Sequence, residues 1–82
     1  MSQTTIKEIV SLLTQMETDS AIPKNIKIKI QKAISSLNEN EINISVKADR
    51  TLQELDDISE DPNIPTYTRM QIWNIVSLLE GL

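Results

Sequence analysis

Two clusters of ionisable side chains are the first places to look for chemistry in this chain. Glu54, Asp56, Asp57, Glu60 and Asp61 crowd one short stretch; Lys24, Lys27, Lys29 and Lys32 crowd another, with no acid between Pro23 and Asn38. Carboxylate oxygens are what hard divalent cations bind, and helical spacing would put Asp57 one turn from Asp61 and Asp56 one turn from Glu60. A Ca²⁺ loop wants glycine and regularly alternating ligands, and this run has neither. Its plain reading is a solvated helix end and loop. The lysine stretch could meet phosphates. It carries no aromatic residue to stack on bases, and the candidate basic face Lys24, Lys29 and Lys32 reads as well as a solvated surface pairing with acids of the same chain or of another subunit.

What is missing decides more. The 82 residues include no His, no Cys and no Phe, and Gly81 is the one glycine. Without imidazole or thiolate there is no ordinary zinc site, no cysteine nucleophile and no histidine base, and the Glu-x-x-His pairs of di-iron bundles are excluded. No disulfide can staple the fold, and no glycine-rich loop can cradle a phosphate. No spacing singles out a Ser–Lys or Lys–Asp pair, and so small a domain leaves little room for a pocket of the usual ~300 Å³ or more. No catalytic residue, metal site or cofactor is expected, and the chain reads as not an enzyme. A formal net charge of −4 disfavours non-specific binding to nucleic acid or anionic membranes. No stretch approaches the ~18 apolar residues of a membrane span, and Met1–Thr5 lacks the basic start of a signal peptide. A cytoplasmic protein is the expectation.

The elements that would position these side chains follow from apolar spacing. Ile6, Ile9, Val10, Leu13 and Met16 recur at helical steps, predicting a helix over Thr5–Met16 with Thr5 and Glu8 as a capping box. The stretch Ile26-Lys27-Ile28-Lys29-Ile30 alternates like a strand, yet Ile26, Ile30, Ala33, Ile34 and Leu37 keep helical spacing far longer, predicting a helix over Pro23–Leu37. Ile44, Ala48, Thr51, Leu52, Leu55 and Ile58 predict a third over Asn43–Ser59, with Asn43 as N-cap. Ile72, Ile75, Val76 and Leu79 predict a fourth over Pro65–Leu79. The third runs basic to acidic, against its own dipole. The connections are short, so successive helices should be antiparallel neighbours.

Asp19, Ile22, Pro23, Lys27, Ile30, Ile34 and Leu37 each find a counterpart 42 residues later, in Asp61, Ile64, Pro65, Arg69, Ile72, Val76 and Leu79. The chain thus reads as a single helical domain, residues 1–82, of two similar hairpins, about 5–37 and 47–79. Packing alone makes amphipathic hairpins resemble one another, but the shared Asp-x-x-Ile-Pro and the base four residues past each Pro are harder to obtain that way. Two units of this length are too few for a capped solenoid. The expected fold is all-α, an antiparallel four-helix bundle, burying Ile9, Leu13, Met16, Ile30, Ile34, Leu37, Leu52, Leu55, Ile72, Val76 and Leu79.

Three large apolar residues do not fit that core. Ile28, Met70 and Trp73 point away from their helices' apolar stripes, at about 100° per residue. Trp73 could close the edge of the core and Tyr67 cover the Pro65 turn. Alternatively Met70 and Trp73, neighbours on the helix surface, form an interaction patch. A homodimer or another protein partner is the leading functional expectation, with a nucleic-acid-associated role for the basic second helix as the alternative.

The stretch Asp61-Pro62-Asn63-Ile64-Pro65, then Thr68-Arg69 and Ile72-Trp73-Asn74-Ile75-Val76-Ser77, resembles the C-terminal half of a small archaeal family, uncharacterised protein family 0147. Ile22-Pro23-Lys24-Asn25-Ile26 and Ser45-Val46-Lys47 resemble its N-terminal half more loosely, so the likeness spans nearly the whole chain. It implies a four-helix bundle in a cytoplasmic archaeal protein, and it implies no activity. The chain is richer in Ile, Lys and Asn than the family pattern, and poorer in Ala and Arg.

Overall fold

The computed structural model describes residues 2–82, with side chains from Thr5 onward. Four helices, α1 (Ser2–Glu17), α2 (Lys24–Asn38), α3 (Ile44–Ser59) and α4 (Thr66–Glu80), form an all-α bundle with no strand among the described residues. Each helix packs on its two ring neighbours, α1 on α2, α2 on α3, α3 on α4 and α4 on α1, and the diagonal pairs stay apart.

The alternating isoleucines of α2 are helical because only a helix buries four apolar residues there. Ile26, Ile30, Ala33 and Leu37 all face the core, and Ile28 is left in solvent. At the start of α3, Asn43 caps as expected, its side-chain oxygen accepting from the Ser45 backbone N–H at 2.8 Å. The expected capping box at Thr5 does not form at a helix start. α1 begins at Ser2, which places Thr5 inside the helix; with no Pro or Gly before it, nothing stops the helix there.

The core is Ile9, Leu13, Met16, Ile22, Ile26, Ile30, Ala33, Leu37, Ala48, Leu55, Ile58, Ile64, Ile72, Ile75 and Leu79. Ile34, Leu52 and Val76, expected inside, are only half-buried: they pack against the core from its outer edges.

Adding 42 to the bounds of α1 and α2 gives the bounds of α3 and α4. The same shift carries the buried Ile26, Ile30, Ala33 and Leu37 onto the buried Thr68, Ile72, Ile75 and Leu79. It also relates the turns. Asp19 Oδ1 accepts from Ala21 N–H at 2.9 Å and Asp61 Oδ1 from Asn63 N–H at 2.8 Å, each just before a buried Ile and a Pro at N-cap.

Candidate interaction face

The residues singled out above fall on three separate parts of this frame. Met70 and Trp73 lie together on the outward side of α4, 62% and 69% exposed. Trp73 therefore does not close the core. It stands at the lip of a groove of about 420 Å³ between α3 and α4, walled by Leu52, Leu55, Ile72 and Val76, with Gln53, Asp56 and Ser59 along the α3 rim. Leu52 and Val76 on its walls are only partly covered. Ile28 is exposed too, but α2 lies diagonally across the ring from α4, so it shares no face with Met70 and Trp73.

The basic face is divided. Lys29 forms an ion pair with Asp57 across the α2–α3 seam, and hydrogen bonding to that carboxylate pushes the ammonium pKa up. Lys24 and Lys32 remain exposed on the outer side of α2, flanking Ile28. The acidic run is divided as well. Asp57 faces Lys29, Asp61 holds its turn, and no group of three acids converges as a metal cage among the described residues.

Two contacts at the turn end of the bundle escape a reading of spacing alone. The Tyr67 hydroxyl donates to Asp19 Oδ2 at 2.6 Å, tying α4 to the α1–α2 turn. That bond, then the Ala21 N–H, holds the Asp19 carboxyl below its ordinary value, and the same bond raises the Tyr67 hydroxyl. Arg69 donates to the carbonyls of Ser59 at 2.6 Å and Asp61 at 3.0 Å, closing the end of α3. The base four residues past Pro65 was the visible signal; its target was not. Two buried polar atoms, Thr68 Oγ1 and Gln71 Oε1, have no hydrogen-bond partner.

No helix is long and apolar enough to cross a membrane among the described residues. What this arrangement offers is an apolar surface with one large aromatic knob, and no convergent set of reactive groups is evident in it.

Comparison with known proteins supplies relatives. The model of an uncharacterised protein family, UPF0147, matches residues 1–82. A UPF0147 protein of Sulfurisphaera tokodaii is 39% identical over 75 residues, covering 92% of this chain and 84% of the relative. One of Methanosarcina mazei is 34% identical over 81 residues, covering 99% and 87%. A crystal structure of a protein of unknown function, MMP1188, superposes with a TM-score of 0.90 at 42% identity, covering 95% of this chain and 89% of that one. With sequence matched from end to end and the four-helix fold shared, the chain belongs to uncharacterised protein family UPF0147.

Proposed function

We propose that this chain is a non-enzymatic helical module of the cytoplasm that acts by protein–protein contact through the outward side of α4. One observation carries the reading. Trp73 is 69% exposed beside Met70, at the lip of an apolar groove. Single exposed apolar residues are ordinary, but a Trp and a Met together over an open apolar groove form a patch of the composition that interfaces favour. Residues 70–79 also carry no charge, in a chain where 24% of residues are charged. The nucleic-acid reading has less behind it, because Lys29 is already paired with Asp57.

Site-specific photo-crosslinking tests the reading. A photoreactive residue at position 73 should give discrete protein adducts in native lysate, and the same residue at Gln31, on the outer side of α2, should not. Equal adducts at both positions, or none at position 73, would overturn it.

A further inference from the structure

Resting on that reading, we infer that the partner of the α4 face is a second copy of this chain. The two copies dock about a two-fold axis, each Trp73 laid over the other's α3–α4 groove.

The two hairpins supply an internal comparison. Positions 42 apart occupy corresponding places on corresponding helices, so the two outer surfaces can be compared residue by residue. Ile28 and Met70, exposed at corresponding places, are apolar in both hairpins; the difference lies at Lys24, Gln31 and Lys32 on the outer side of α2, whose exposed counterparts on α4 are Thr66, Trp73 and Asn74. The fold accepts lysine and glutamine at these places. α4 instead carries two neutral residues and an indole, so its surface meets a requirement that comes from outside the bundle.

Charge selects the occupant. Each copy has a formal net charge of −4, so two copies repel at long range. A two-fold interface also sets one patch against itself, bringing groups near the axis close to their own counterparts. Self-docking therefore favours a face with little charge: the stretch 70–79 carries none, and Asp56 is the charged residue among those lining the groove. An acidic chain recruiting a basic partner would instead present a cluster of carboxylates, and the acidic run lies at the end of α3 and in the turn after it. Knob and groove also adjoin on one side of the molecule, as a self-complementary contact requires. The molecule measures 33 × 20 × 19 Å, so one flank is on the scale of the ~800 Å² each partner contributes to a standard-size interface. α4 alone gives less than that, so the outer edge of α3 joins the contact and the dimer is a reversible one.

The test uses the full chain and its single tryptophan. Sedimentation velocity and Trp emission are followed together from low to high micromolar protein, at low and high salt, for wild type, Met70→Glu and Ile28→Glu. The wild type should dimerise with concentration while its emission moves to shorter wavelength, and added salt should strengthen both by screening the repulsion. Met70→Glu, setting like charges against each other at the axis, should weaken association by about tenfold or more. Ile28→Glu, at the corresponding place on α2, should match wild type. Circular dichroism melts check that both variants stay folded. A wild type that stays monomeric with fixed emission overturns the inference while leaving the α4 reading to the crosslinking result. Equal weakening by both variants, or a dimer that salt dissolves, also overturns it; the latter would mean lysine–carboxylate docking.

Discussion

Arg69 shows what a residue can do that its place in the sequence does not announce. The base four residues past each Pro is visible in Lys27 and Arg69, but its purpose depends on which helix end lies beside it. In the fold that end is α3's, whose carbonyls at Ser59 and Asp61 accept from the guanidinium. Arg69→Ala should cost about 1–2 kcal/mol, lowering the melting temperature by roughly 5–15 °C in a domain this small. Arg69→Lys, the residue at the corresponding place in the first hairpin, should recover part of that in the same thermal melt. Tyr67 and Asp19 make a prediction about pH. The Asp19 carboxyl is depressed from 3.8, so its contribution is present above that value and lost as pH falls through the lower folded one. The Tyr67 hydroxyl is raised from 10.0, so its contribution is present below that value and lost as pH rises through the higher folded one. Tyr67→Phe should therefore lower the urea midpoint at neutral pH and flatten its acid limb. On the alkaline side a slope remains from Lys29, whose contribution is present below 10.5 and lost as pH rises through its raised value.

The helices themselves were legible because apolar period sets them. In α2, four residues at helical spacing outweigh five that alternate, and the exposure of Ile28 follows from the same geometry. The start of α1 was not legible, since Thr5-x-x-Glu8 reads alike at a helix start and inside a helix. The charge order of α3 also makes sense only in the bundle. No helix has an acid in its first turn or a base in its last. The helices run antiparallel, so the basic starts of α2 and α4 lie beside the acidic ends of α1 and α3. The charges answer the neighbouring helix rather than their own. Hairpin correspondence yields a stability prediction as well. Thr68 occupies the place of Ile26, fully buried, and its hydroxyl has no partner. Thr68→Val should raise stability by about 1 kcal/mol. Thr51→Val, whose hydroxyl donates to the Lys47 carbonyl at 2.9 Å, should gain less. Paired urea titrations measure both.

At the scale of the whole molecule, the four-helix fold was readable from four amphipathic segments and three short connections, while the α3–α4 groove was not. Its depth depends on how closely two helices approach, and the apolar pattern of Leu52, Leu55, Ile72 and Val76 is the same for a tight seam as for an open one. The acidic run predicts no thermal response to Ca²⁺ or Mg²⁺, since its carboxylates do not converge. A specific site filled at 100 times its dissociation constant would add about 2.7 kcal/mol, a shift a melting curve cannot miss. The coincidence of helix bounds after 42 residues carries one more consequence. α4 neighbours α1 in the ring where the shift places α2 beside α3, though it packs less closely, and five residues, 39–43, bridge the latter pair. Joining Leu82 to Met1 through two added residues would bridge the former pair by the same length and make the chain a closed loop of two equal periods. Such a loop has no privileged opening. A circular permutant cut within 39–43 should refold to the same bundle, with a circular dichroism spectrum and a cooperative melt like those of the parent.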